Sequence, residues 1–245
     1  MSRAFRGGRA AALVLAAAAA CAPAAVACPP LRGGEAGSVM QLRDLRFGDD
    51  QVSILFGLRS GGARYGIPPY EVERTGDVVR VRIPGARLTD PDGLPSYYGE
   101  RTVSPPGGSI HEIGLSSASD GGVEIAMRVS GSGCPRVLAR PYVLGTTNPA
   151  AMLSVALRDG PAVALDLDHG LPGYAMQVVG VGLTPSIPVS IDVDGRPAWT
   201  SRSDANGHLD TVLFVPALPP GPHRALIHDP GRSVIAHFRV DEPAR

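Results

Sequence analysis

The sequence predicts an all-β protein made of two β-sandwich domains, and three observations carry that expectation. Gly and Pro supply 31 and 24 of the 245 residues, and helix signals are nearly absent beyond residue 27. Between these breakers, β-branched residues alternate with polar ones at a period of two, the mark of strands with one buried face. Finally, residues 39–84 are written again at 110–158. A repeat is looked for first because it decides the fold, and this one predicts a first domain built from two similar halves.

In chain order, the first 27 residues read as an export signal. Arg3, Arg6 and Arg9 form a basic n-region, Ala11 to Ala20 a short apolar core, and Ala25-Val26-Ala27 a small-x-small cleavage site. That core is shorter than the ~20 residues of a spanning helix, so no transmembrane segment is expected in the mature chain. Cleavage after Ala27 and lipidation at Cys21 or Cys28 stand as alternatives; Ala18 and Ala25 occupy the place where a lipidation signal usually has Leu.

The first copy of the repeat runs through Val39 to Leu45, the turn Gly48-Asp49-Asp50, the strand Val52 to Leu58, the break Ser60-Gly61-Gly62 and the strand Val78 to Ile83. The second runs through Ile110 to Leu115, Asp120-Gly121-Gly122, Val123 to Val129, Gly131-Ser132-Gly133 and Met152 to Leu157. Val52 to Leu58 is apolar on both faces, which predicts a central strand covered twice. Arg87 to Gly108 joins the copies as a long loop, and such a loop inside a compact domain is either functional or disordered.

A boundary is expected near Arg158-Asp159-Gly160-Pro161, dividing a domain at 28–160 from one at 161–241, with a tail at 242–245. Seven short strands follow: Val163–Leu167, Tyr174–Val181, Val189–Val193, one around Trp199, Leu209–Val215, His223–His228 and Ser233–Val240. Asp194-Gly195, Ser203 to Gly207 and Pro219-Pro220-Gly221 mark turns between them. That spacing predicts an immunoglobulin-like sandwich.

Charge narrows the partners. Without the signal the chain carries 20 arginines against 23 acidic residues, which argues against nucleic acid, whose binding needs a clustered basic surface. There is no lysine, so a Walker phosphate loop, a pyridoxal Schiff base and a Ser-x-x-Lys dyad are excluded. His111-Glu112 opens like a zinc-protease helix, but Leu115 occupies the place of the second His. Asp90-Pro91-Asp92-Gly93 and Asp204-Ala205-Asn206-Gly207 lack the acidic residues that complete a calcium loop, and read as Asx turns. No metal, cofactor or catalytic residue is expected.

In an oxidising compartment Cys28 and Cys134 read as one disulfide, with two free buried thiols as the alternative. Lipidation of Cys28 would consume the thiol. Tyr97, Tyr98 and Arg101, in the long loop, are the expected binding residues. Aromatic faces stack on sugar rings and a guanidinium forks onto a carboxylate. The alternative is that one tyrosine tucks under the loop to pin it.

Val79-Arg80-Val81-Arg82-Ile83-Pro84-Gly85-Ala86-Arg87, Ile110–Leu115, Val123–Val129 and Asn148-Pro149 before Met152–Leu157 resemble the AMIN and AMIN-like domains over about residues 36–158. The resemblance implies a sandwich of two similar halves, association with peptidoglycan, and recruitment of partners. Arg64-Tyr65-Gly66 departs from the family's Tyr-Arg-Val strand. Gly170 to Gly173, Val178 to Gly182, Asp204 to Gly207, and Val215-Pro216 through Gly221 are similar to bacterial immunoglobulin-like modules, which implies a spacer or adhesion unit. The expected protein is exported to the cell envelope or beyond, non-enzymatic, and bound to a cell-wall polymer. An interaction module of adhesin type, adding strands at exposed sheet edges, is the alternative; a secreted hydrolase with an unrecognised site is the third.

Overall fold

A computed structural model describes residues 28–57, 65–90, 92–105 and 107–243. The signal segment, Cys21, Leu58 and the break at 60–62 lie outside them. Among the described residues there is no helix, and four sheets organise the chain as a pair of sandwiches.

The repeat reappears as strand order. The first half makes two hairpins, β2 (Met40–Phe47) with β3 (Gln51–Gly57), then β4 (Tyr70–Thr75) with β5 (Val78–Ile83). The second half repeats them as β8 (Ile110–Ser117) with β9 (Val123–Val129), then β10 (Arg136–Leu144) with β11 (Asn148–Ala156). Sheet I contains the run β4-β5-β9-β8 and sheet II the run β10-β11-β3-β2. Exchanging β2–β5 for β8–β11 converts one run into the other, so each half gives one hairpin to each sheet. Both opening hairpins also carry a register shift in their first strand, skipping Arg43 and His111.

Short strands complete the edges. β1 (Leu31–Gly33) lies beside β4, β6 (Ala86–Arg87) runs parallel to β2, and β7 (Thr102–Val103) lies beside β8. Alternation fills the space between the sheets: Val79, Val81 and Ile83 face Leu153, Val155, Ile54 and Phe56 in one core. Each such side chain contributes about 1.5–3 kcal/mol by leaving water. Cys28 and Cys134 are bonded, with Cα atoms 5.4 Å apart. Arg74 holds the same β9–β10 loop by donating to the carbonyls of Gly131 and Gly133.

The second sandwich packs sheet III, β12 (Ala162–Leu165), β14 (Ala175–Val181) and β17 (Leu209–Phe214), on sheet IV. Sheet IV runs β13 (His169–Gly170), β19 (Arg232–Val240), β18 (Gly221–Asp229), β15 (Pro188–Val193) and β16 (Arg196–Arg202). This Greek-key order, with a short parallel pairing of β13 on β19, is immunoglobulin-like. The Asp194-Gly195 turn has φ of 50° and 77°, as a two-residue hairpin between twisted strands requires. Trp199 lies on edge strand β16.

A seam joins the sandwiches. Gln51, Ser53 and Leu55 leave the opposite face of β3 from Val52, Ile54 and Phe56, and that face lies under sheet III. Leu55, Tyr142, Ala150 and Met152 pack there against Ala162, Ala164, Val179 and Val181. β3 is therefore covered twice, by its own core and by the second domain.

Candidate binding surfaces

The seam's polar groups explain its geometry. β12 is an edge strand, so alternate carbonyls lack a sheet partner. Gln51 Nε2 donates to Val163 O at 2.6 Å and Arg46 Nε to Leu165 O at 2.8 Å. Arg46 Nη2 adds Asp166 O at 2.9 Å. On the other side Arg140 Nη1 reaches Gly180 O and Leu209 O, at 3.0 and 3.1 Å. Arg46, Gln51 and Arg140 are all buried, and a buried carbonyl left without a donor costs about 1–3 kcal/mol. Gly48 belongs to the same fit: a Cβ there would stand 2.6 Å from Ile235 O.

Beside the seam is a cleft of about 420 Å³, lined in part by Asp49, Asp50, Arg158, Asp159 and Arg232. Its charges are largely satisfied within the protein. Asp50 Oδ2 pairs with Arg158 at 3.0 Å, Asp159 with Arg136 at 3.0 Å and Asp49 with His237 at 3.0 Å.

Among the described residues, the outer face of sheet I is exposed. Side chains alternate out of it in register: Glu73 opposite Arg80, Glu71 and Glu124 on either side of Arg82, and Glu112 opposite Arg128. Gly114 lies opposite Ala126 in the middle of this face. Arg101 immediately precedes β7 at the edge of this sheet and accepts the Leu115 N–H on its carbonyl.

The long loop carrying the expected binding residues, described at 88–90 and 92–103, closes one side of the first sandwich. Asp90 Oδ1 accepts the N–H groups of Asp92 and Leu94, and Ser96 Oγ bonds Leu42 O. Asp204 Oδ1 repeats that pattern with Asn206 and His208. Both are Asx turns. Tyr97 is buried in the core, its hydroxyl bonded to Glu100 O at 3.0 Å and its pKa pushed up to about 12 by burial and then by Asp44. Tyr97 therefore pins the loop and offers no free ring. Tyr98 is 84 % exposed, and Arg101 is exposed with it. Of the expected residues, these two are on the surface.

Histidine chemistry was not legible in the sequence. Each of the five histidines in the second domain has an aspartate partner: His169 with Asp168, His208 with Asp204, His223 with Asp194, His228 with Asp192, and His237 with Asp49. His228 also places Nδ1 3.1 Å from Ser233 Oγ, with Nε2 3.0 Å from Asp192 Oδ2. This links the three residue types of a serine triad but with the ring nitrogens exchanged, since in the triad serine bonds Nε2 and aspartate bonds Nδ1. Register accounts for it more simply, because His228 and Ser233 are direct cross-strand partners beside the β18–β19 turn. No group of three or more metal-ligating side chains occurs among the described residues, nor any helix long and apolar enough to cross a membrane.

An apolar edge completes the surfaces. Trp199, Val212 and Phe214 are 39 %, 44 % and 60 % exposed on neighbouring edge strands β16 and β17. The two rings meet edge to face at 6.0 Å, and Trp199 Nε1 donates to Thr211 Oγ1.

No family model matches the sequence, and no curated protein does. Among solved structures, the adhesin InvE of Yersinia pseudotuberculosis aligns with a TM-score of 0.28 at 10 % identity. The alignment takes in 87 % of this chain and 59 % of that one, so this chain spans less than two thirds of that adhesin.

Proposed function

We propose that this is an exported, non-catalytic protein of a bacterial envelope that binds a cell-wall polymer through the outer face of sheet I. One observation carries the reading. The duplication makes two outer faces equivalent; sheet II's lies under the second domain, while sheet I's stands free with its rows of arginine and glutamate. A polymer bearing both carboxylates and amines meets complementary groups along such a face. Tyr98 and Arg101 belong to the loop that ends at the same sheet's edge and extend it. The signal-like N-terminus, the disulfide and the AMIN-like residues support the same reading. In it the immunoglobulin-like domain covers and braces the binding sandwich.

The test is co-sedimentation of the mature protein with purified peptidoglycan. Arg80→Glu, Arg82→Glu and Arg128→Glu together are expected to lower retention about tenfold, since exposed ion pairs contribute up to ~1 kcal/mol each. Unchanged retention with an unchanged circular dichroism spectrum dismisses the surface.

The apolar edge at Trp199, Val212 and Phe214 favours a second reading, a protein-interaction module of adhesin type. Apolar patches rimmed by polar residues mark association sites. Under that reading, Trp199→Ala with Phe214→Ala removes partner capture and leaves wall retention untouched; loss of wall retention instead would tie that edge to the polymer.

A further inference from the structure

One histidine of the second sandwich stands where only its charged form satisfies both neighbours. His223 lies near the start of β18, on the face that Ala225 and Ile227 continue into the core. Its ring meets that of Phe238, its register partner on β19, with centroids 5.6 Å apart. The side chain is 8 % exposed. Nδ1 stands 2.6 Å from Asp194 Oδ2, and Nε2 stands 2.8 Å from Pro219 O. A carboxylate and a carbonyl both accept, and neither donates. A neutral imidazole has one N–H, so it serves one of them and turns a lone pair on the other. An imidazolium serves both.

The partners come from separate stretches of chain. Asp194 opens the β15–β16 turn, and its other oxygen accepts the Arg224 N–H at 3.2 Å. Pro219 belongs to the corner 216–220 between β17 and β18, which bears no titratable side chain. Arg224 alternates to the opposite face of β18, as His237 and Arg239 do on either side of Phe238. Arg196, beyond the turn on β16, is exposed. Behind Phe238, Tyr174 is neutral, its pKa pushed up to about 12 by burial and then by Asp168 and Asp241. Asp194 is therefore the charge that acts on the ring.

We propose that His223 is a proton-operated clasp: as an imidazolium it pins the β15–β16 turn to the corner before β18, and on losing its proton it lets one of them go. Burial pulls the His223 pKa down, but the bonds to Asp194 and Pro219 and the Asp194 charge outweigh it, and the pKa lies above its ordinary value. Against its own burial, Asp194 is held below the usual carboxylate range by the same bond. A histidine whose folded pKa is raised contributes stability that is fully present below the unfolded value of about 6.5. That stability is lost as pH rises through the folded value. The clasp is closed on the acid side, down to the range where Asp194 itself protonates, and opens on the alkaline side.

An NMR titration of residues 28–245, with the disulfide intact, tests this. At about pH 6 both ring nitrogens of His223 are expected to carry protons. The folded midpoint should lie above the midpoint of the same residue in the urea-unfolded chain, and the Gly195 and Leu218 amide signals should follow it. Asp194→Asn keeps an acceptor, tolerates the left-handed φ of 50° and removes the charge. It should lower the folded midpoint by about one pH unit, a roughly tenfold loss of proton affinity. His223→Gln should make the Gly195 and Leu218 signals insensitive over the same range. A folded midpoint at or below the urea value overturns the proposal, as does an Asp194→Asn midpoint equal to that of the unsubstituted chain. So does a response at Gly195 and Leu218 that persists in His223→Gln.

Discussion

Arg46 and Tyr97 are the residues on which the arrangement turns. The Arg46 guanidinium has no water to fall back on, and its donors meet Leu45 O, Leu165 O and Asp166 O as well as two aspartates. Arg46→Ala leaves those acceptors buried and two carboxylates without their cation. It should destabilise the chain by about 3–5 kcal/mol in urea unfolding. Arg46→Lys should recover only part of this, because an ammonium cannot reproduce the planar fork. Tyr97→Ala empties a core site and should cost about 3–5 kcal/mol. Tyr98→Ala, one residue along and facing water, should stay within ~0.5 kcal/mol. Sequence alone could not separate the two tyrosines, since either register of the loop puts one ring inward.

At the scale of elements, legibility followed the cleanness of the alternation. β5 and β9 place valine, isoleucine and methionine inside and charges outside, so their pattern reads directly from the residues. Besides the short edge strands β1, β6, β7 and β13, the strands that escaped notice are β4 and β10, the third strand of each half. β4 turns Arg74 inward beside Val72, which breaks the apolar face. β10 carries Arg140 and Pro141; it is an edge strand, where proline is tolerated and alternation relaxes. The long connection was readable as an Asx turn and as a loop that one tyrosine pins, but not as to which tyrosine or with what other anchor, because Leu88 and Tyr97 are isolated apolar residues among polar ones. The cysteine pairing was legible because only Cys28 and Cys134 follow the expected signal segment. Cys28→Ser with Cys134→Ser removes a bridge spanning 106 residues, worth up to about 4–5 kcal/mol by chain entropy. A drop in the thermal midpoint that reductant reproduces in the unsubstituted protein checks it. The charged face of sheet I was present in the sequence as Arg80, Arg82, Glu124 and Arg128. That the equivalent face of sheet II is covered was legible at Val52 to Leu58, apolar on both faces; that the second domain does the covering was not, since contacts between domains leave no periodic trace.

The whole molecule should unfold as one body. Leu55, Met152 and Tyr142 on one side and Val179 and Val181 on the other share an apolar cluster, and the buried arginines and Gln51 tie backbone to side chain across it. Urea unfolding is expected to give one transition at which fluorescence of Trp199, in the second domain, and circular dichroism coincide. A chain of residues 28–160 exposes the seam face of sheet II and should self-associate on purification, whereas a chain of residues 28–245 stays monodisperse by light scattering. The duplicated architecture would by itself offer a pair of like surfaces on opposite sides, able to bridge two strands of a lattice. With one of them roofed by sheet III, the molecule keeps a single such face: under the proposed reading it would decorate a polymer one copy per site and could not bundle or cross-link it by that route.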